Sequence, residues 1–286
     1  MGVLNVTPDS FSDGGLYLEE SAALAHGREL VAQGADLVDV GGESTRPGAE
    51  PVAPDLQRVR VVPVIARLSS LGAATSVDSS SVAVAEAAIA AGARLVNDVT
   101  AFRAEPEMAG LVADRDVDCC LMHMQGEPRT MQRNPRYGDV VDDVKAFLAE
   151  RLEFAVREGV GEHRVLLDPG IGFGKTPAHN LELIDRLDEL LSLGRPLVVG
   201  TSRKSFLGRL VDRPVGERLP GTIATNVLAL ERGASVFRVH DVQPVRDALI
   251  TAQAALGARH RAGATVRRPW RPRPPAGPRT TTSRTS

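Results

Sequence analysis

Short apolar runs alternate with stretches of helical periodicity along almost the whole chain, and no two runs are joined by hairpin-turn chemistry. This alternation is the strongest constraint on the fold, because strands joined through helices run parallel and need crossover connections. The runs are Gly2 to Asn5, Leu37 to Val40, Ala74 to Asp78, Arg94 to Val99, Asp118 to His123, Val165 to Asp168, Leu197 to Thr201 and Val236 to His240. Between and after them the spacing predicts helices over 19–34, 54–71, 80–91, 105–114, 139–158, 178–193, 222–232 and 243–256. Eight such units predict an α/β chain folded as a (β/α)8 barrel, with a doubly wound open sheet as the alternative. A length of 286 residues suits this, since such barrels commonly reach about 250 residues around one core.

In a barrel of this kind the C-terminal strand ends share one mouth. Here they carry Asn5, Asp39, Asp78, Asn97 with Asp98, His123, Asp168, Ser202 with Arg203 and Lys204, and Arg238 with His240 and Asp241. Acids, amides and cations brought together away from water are costly unless something occupies the space between them. The mouth is therefore the expected ligand site. The first strand also runs into a polar loop, Thr7-Pro8-Asp9-Ser10 and on through Phe11 and Asp13 to Gly14-Gly15, which has the chemistry of a lid.

Two simpler readings fail. Residues 169–176, PGIGFGKT, look like a phosphate-cradling loop, but proline stands where the first glycine belongs, and Pro177 disfavours the helical turn at Thr176. The six histidines show no paired helical spacing, so a histidine metal site is not expected, and His26 and His163 read as surface or structural. Cys119 and Cys120 are adjacent and form no zinc or disulfide pattern; they read as buried thiols of a reducing compartment.

Charge separates the chain into two parts. Residues 1–257 carry 26 basic against 36 acidic side chains, whereas residues 258–286 carry eight arginines and no acid. The second part is rich in Pro, Arg and Thr without periodicity and reads as a disordered basic tail, 258–286, after a single barrel domain, 1–257. Aromatics make up only 3% of the chain, which argues against base-stacking nucleic-acid modules. No apolar run is long enough to span a membrane and no secretory leader precedes Asn5, so the expected setting is the cytoplasm, without membrane or nucleic-acid partners.

Several motifs, in order, resemble those of the dihydropteroate synthases, the pterin-binding enzymes of folate biosynthesis. They are Met1 to Gly15, Gly41 to Gly48 (GGESTRPG), Ser76-Val77-Asp78, Asn97-Asp98, Leu121 to Gly126 (LMHMQG), Asp168-Pro169-Gly170 with Phe173-Gly174-Lys175, Ser202 to Ser205 (SRKS), and Arg238 to Asp241 (RVHD). The resemblance covers residues 1–257. It implies a (β/α)8 barrel that joins (7,8-dihydropterin-6-yl)methyl diphosphate to 4-aminobenzoate, releasing diphosphate, with Mg²⁺, in a homodimer that sulfonamides target.

By the same resemblance, Asp168 would accept the pterin 2-amino group and ring N–H, with Asp78 and Asn97 completing that edge. Lys204 would donate to the pterin carbonyl and ring nitrogen, and Arg238 and His240 would hold the diphosphate. Asn5 would be the Mg²⁺ ligand. Phe11 and Asp13 would close over a pterin-methylene cation formed when diphosphate leaves first. Thr45, Arg46 and Pro47 would order the aminobenzoate, Ser205 would donate to its carboxylate, and Phe173 would pack on its ring. His123 and Met124 read as wall.

Ser79 stands where the family usually has threonine and keeps the hydroxyl. Relatives usually carry a further segment before the first strand, and the expectation is that the native start lies upstream. Two rivals share a pterin-binding barrel. A methyltetrahydrofolate:corrinoid methyltransferase needs no diphosphate site, against which Arg46, Lys204, Arg238 and His240 count. A non-catalytic pterin-binding paralogue should have lost Asn5 or the loop motifs, which are present.

Overall fold

The computed structural model describes residues 1–7, 16–44, 50–260, 270 and 272. Strands and helices alternate as β1 (Gly2–Asn5), α1 (Leu16–Ala32), β2 (Val38–Gly41), α2 (Pro54–Ser70), β3 (Thr75–Asp78), α3 (Val82–Ala90), β4 (Leu95–Asp98), α4 (Met108–Arg115) and β5 (Asp118–Met122). They continue as α5 (Val140–Arg157), β6 (Val165–Asp168), α6 (Pro177–Asp185), β7 (Val198–Val199), α7 (Ser205–Val211), α8 (Leu219–Glu231), β8 (Val236–Phe237) and α9 (Val242–His260). Strands β1 to β6 pair in chain order, all parallel, and β7 pairs with β8. Parallel bridges Leu167↔Leu197 and Gly2↔Val239 join the two groups at both seams, so the sheet closes on itself. This is the (β/α)8 barrel, and the open-sheet alternative falls.

Side chains alternate across each strand, and the two faces part cleanly. Val38, Val40, Val77, Val96, Cys119, Leu121, Val165, Leu167 and Val199 point outward into the main core shared with the helices. Leu37, Leu95, Cys120, Leu166, Val198 and Val236 point inward and fill the barrel with a second apolar cluster. The adjacent thiols thus belong to opposite faces of β5, both buried and unpaired with each other. Two residues further along β4, β6 and β8, the inward positions become the polar Asn97, Asp168 and Arg238 of the mouth.

Local chemistry explains the starts of α5 and α6. Asp139 caps α5 by accepting from the Val141 and Asp142 amides at 2.8 and 3.0 Å. Thr176 caps α6 with φ −70° and ψ 165°, Pro177 follows at the first helical position, and His179 completes a reciprocal cap. The proline therefore acts as expected, ending the loop and starting a helix. The helix expected over 178–193 is broken, because Arg186 leaves the helical region and the chain continues as a 3₁₀ segment, Leu187–Leu193. The Arg186 guanidinium bridges Asp139, Glu182 and Glu189 there. A short extra helix, α7, precedes α8, and α9 continues past 257 to His260.

Trp270, from the stretch read as a disordered tail, is half-buried and packs with Met1 and Ala74 against the inward apolar cluster. It is the only tryptophan in the chain. Half-burial of one large side chain stabilises by about 1 kcal/mol. Replacing it, Trp270→Ala, should lower the melting temperature by about 2–4 °C, measured by scanning calorimetry. The wild-type fluorescence should lie to the blue of the unfolded chain.

Candidate functional site

Register sets the site. Asn5 pairs with Gly41, Gly41 with Asp78, and Asp78 with Asn97, so these four occupy one level of four adjacent strands. Asp168 ends β6 opposite Met122, and Arg238 follows β8 with its amide donating to the Val199 carbonyl at 3.0 Å. All share the inward parity, so the acids, the amide and the arginine face one another. Gly41 keeps the level open, since a Cβ there would stand 3.6 Å from Asn5 Oδ1 and 3.5 Å from Asp78 Cβ.

The charge pattern is unbalanced. The Arg238 guanidinium donates from Nε to Asp39 Oδ2 and from one terminal nitrogen to Asp78 Oδ2, each at 2.6 Å. One cation thus serves two buried carboxylates, with Asp168 nearby. Burial raises the Asp78 pKa, and the Asp39, Asp98 and Glu43 charges add to it while Arg238 opposes, leaving it at about 7. Burial also raises the Asp168 carboxyl against Lys204, the Gly170 amide and Arg238. Lys204 is pushed down to about 8 by burial, with Asp168 pulling the other way.

The next residue, Asp98, has outward parity and a structural task. Its carboxylate accepts from Ser80 Oγ, the Thr100 amide and hydroxyl, and the Phe102 amide, at 2.5 to 2.8 Å. It ties the turns after β3 and β4 together and so supports Asn97 from behind.

The glycine-rich loop after β6 also holds its own framework. Gly170 and Gly174 take φ of 66° and 61°, and a Cβ would fall 1.8 Å from the His123 carbonyl oxygen and 2.4 Å from that of Gln125. Only glycine lets this loop press on the one after β5. Lys175 turns inward, 2.8 Å from His123 Nδ1, and donates to the Gly170 and Phe173 carbonyls at 3.0 and 3.1 Å. Burial lowers the pKa of both Lys175 and His123, and the nearby Lys175 charge also lowers His123. His123 and Met124 are accordingly buried wall. Lys204, before α7, donates to the Ile171 carbonyl and lies 4.7 Å over the Phe173 ring.

His240 stands by Ser202, whose Oγ is 2.9 Å from Nδ1 and accepts the His240 amide at 3.1 Å. Ser205 opens α7 and is exposed. The structure thus gathers Asn5, Asp78, Asn97, Asp168, Phe173, Lys204, Arg238 and His240 at the C-terminal strand ends and their loops. Phe11, Asp13, Thr45, Arg46 and Pro47 lie outside the described residues. Sequence reasoning gave no role to Ser76 or Lys175 and treated Asp39 only as one polar strand end. A charged residue inside the run Leu37 to Val40, in a strand covered on both faces, is the signal that a buried partner is needed.

A (β/α)8 barrel whose mouth gathers carboxylates, an amide, a lysine, an arginine and a histidine defines the class of barrel proteins with a polar site of both charges at the C-terminal strand ends. The sequence profile of the family described as "Pterin binding enzyme" matches residues 1–240. The dihydropteroate synthase of Bacillus subtilis is 45% identical over 246 residues, 86% of this chain and 84% of the relative. Among solved structures, the Xanthomonas albilineans dihydropteroate synthase with 4-aminobenzoic acid is 46% identical, with a TM-score of 0.85 over 90% of this chain and 92% of that one. The same enzyme in complex with 7,8-dihydropteroate gives a TM-score of 0.81 at 43% identity, over 90% and 92%. The chain belongs to the pterin-binding enzymes and, among them, to the dihydropteroate synthases, transferases of folate biosynthesis.

The electrostatics make one prediction. Because folding raises the Asp78 pKa from the ordinary 3.8 to about 7, the stabilisation linked to its proton is complete below about pH 4 and is lost as pH rises through about 7. Asp78→Asn keeps the shape and removes the titration. Its melting temperature should therefore gain on that of the unsubstituted, ligand-free chain between pH 4 and 7, read by scanning fluorimetry. A constant gap would refute the assignment.

Proposed function

We propose that this mouth carries out the dihydropteroate synthase reaction in the following way. The observation that carries the reading is the set of acceptors Asp78, Asn97 and Asp168 at the strand ends, brought together with the cations Lys204 and Arg238. A pterin offers neighbouring N–H donors on its pyrimidine edge and a carbonyl beside them, so acceptors and a cation are the complementary set. Asp168 takes the 2-amino group and ring N–H, Asp78 and Asn97 complete the edge, and Lys204 donates to the carbonyl and ring nitrogen. Arg238 and His240 hold the diphosphate.

In the reaction the C–O bond to diphosphate breaks, and its electron pair leaves with the phosphate oxygens. The pterin methylene carries the positive charge until the aminobenzoate nitrogen supplies its lone pair for the new C–N bond. The nitrogen then gives up a proton to the departing diphosphate, the basic group at hand. Preorganised charge lowers such a barrier more than a strong base would. Phe11 and Asp13 would face the cation, Thr45, Arg46, Pro47 and Ser205 would order the aminobenzoate, Phe173 would pack on its ring, and closure would exclude water.

Mg²⁺ fits the donor set. Among the described residues no three His, Cys, Asp or Glu side chains form a metal cage, and Asn5 offers one amide oxygen, 3.6 Å from where a Cβ on Gly41 would stand. A single oxygen ligand suits an ion that otherwise keeps waters and substrate phosphates. When bound there, the metal would neutralise diphosphate charge. The same reading takes the working unit as a homodimer in the cytoplasm. Exposed Leu210, Val211, Leu228 and Ile250 on the last three helices support the dimer.

Incubation of the chain with the pterin diphosphate, 4-aminobenzoate and Mg²⁺ should release 7,8-dihydropteroate and diphosphate, followed by chromatography. Lys204→Ala removes one charge-assisted hydrogen bond and should lower kcat/KM about 10- to 100-fold. Binding of the pterin diphosphate without product would favour the non-catalytic paralogue.

A further inference from the structure

Asp39 is completely buried in the middle of β2, one level below Asn5, Asp78 and Asn97, and presents no face to the mouth. Its Oδ1 accepts from Ser76 Oγ at 2.7 Å. Its Oδ2 accepts from Asn97 Nδ2 at 3.1 Å and from Arg238 Nε at 2.6 Å. The nearest groups on β3, β4 and β8 are thus all donors turned toward this one carboxylate.

Two consequences follow for groups that do reach the mouth. Asn97 turns one N–H of its amide to Asp39; flipping the amide would set Oδ1 against Asp39 Oδ2, acceptor to acceptor, so the contact fixes the amide with Oδ1 turned away from Asp39 as the acceptor offered to a ligand. Arg238 spends its Nε edge on Asp39 and Asp78, which leaves the Nη1 end for an anion. An amide and a guanidinium are both ambiguous as recognition groups until something fixes their orientation. Here one buried carboxylate fixes both.

We propose that Asp39 is a positioning residue that sets the specificity of the mouth. By locking Asn97 as an acceptor it selects a heterocycle whose facing edge carries N–H donors and rejects one carrying an oxygen there. This deepens the synthase reading and rests on it. Asp39 touches no substrate; it acts through Asn97 and Arg238.

The test compares 6-hydroxymethylpterin with its analogue bearing oxygen in place of the 2-amino group, each titrated by calorimetry into the full chain. The unsubstituted chain should prefer the pterin by at least about 100-fold. Asp39→Asn removes the charge and allows the Asn97 amide to turn, so that preference should shrink by about tenfold or more. In turnover, KM for the pterin diphosphate should rise about tenfold while KM for 4-aminobenzoate changes less than twofold. An unchanged preference in a folded Asp39→Asn, or an equal rise of both KM values, would overturn the proposal. Should that variant not fold, Ser76→Ala frees one side of Asp39; a two- to fivefold loss of preference supports the proposal and an unchanged ratio overturns it. Failure of the unsubstituted chain to bind either heterocycle would instead overturn the synthase reading.

Discussion

The mouth of the barrel depends on one guanidinium held between two buried carboxylates. Arg238 arrives from the last strand and meets Asp39 from the second and Asp78 from the third, so the contact spans the seam where the sheet closes. Removing the arginine would leave two buried carboxylates without their cation, whereas removing either acid leaves the arginine paired with the other. The arrangement is therefore better understood as a means of orientation than of stabilisation. It also leaves negative charge in excess, which adds to burial in raising the pKa of Asp78.

Around that cluster the barrel divides its labour by side-chain parity. Outward positions form the helix-facing core, inward positions form an apolar floor, and the last inward positions of β1, β3, β4 and β6 are the polar Asn5, Asp78, Asn97 and Asp168. Neighbouring residues can thus have unrelated tasks. Asn97 faces the mouth, whereas Asp98 stitches two turns together. Lys204 faces the mouth, whereas Lys175, in a loop that only resembles a phosphate cradle, holds that loop to His123.

The alternation of strands and helices was legible because each apolar run is short and bounded by turn residues, and every strand expected from it is present. The polar ring was legible too, since its members end those runs. What the chain alone concealed was direction. Nothing in the run Leu37 to Val40 says that Asp39 reaches Arg238, which lies 199 residues away. The break at Arg186 was hidden for the same reason, because the periodicity of residues 178–193 is helical while the partners of the arginine include Asp139 on another element. Helix α7, over 205–211, is too short for periodicity to declare itself, and only the family resemblance put Ser205 at the start of a helix.

The seam has a consequence for how the molecule comes into being. The first strand finds its second neighbour only in the eighth: the Met1 amine donates to the Phe237 carbonyl, 236 positions along the chain, and Gly2 bridges Val239. During synthesis the first strand of the barrel emerges well before the eighth and waits, one edge unsatisfied, until β8 has left the ribosome. An unpaired edge of Val3 and Leu4 is an invitation to other chains for as long as it persists. Closure of the ring thus has to wait for the eighth strand, and the arginine that completes the recognition cluster arrives with it.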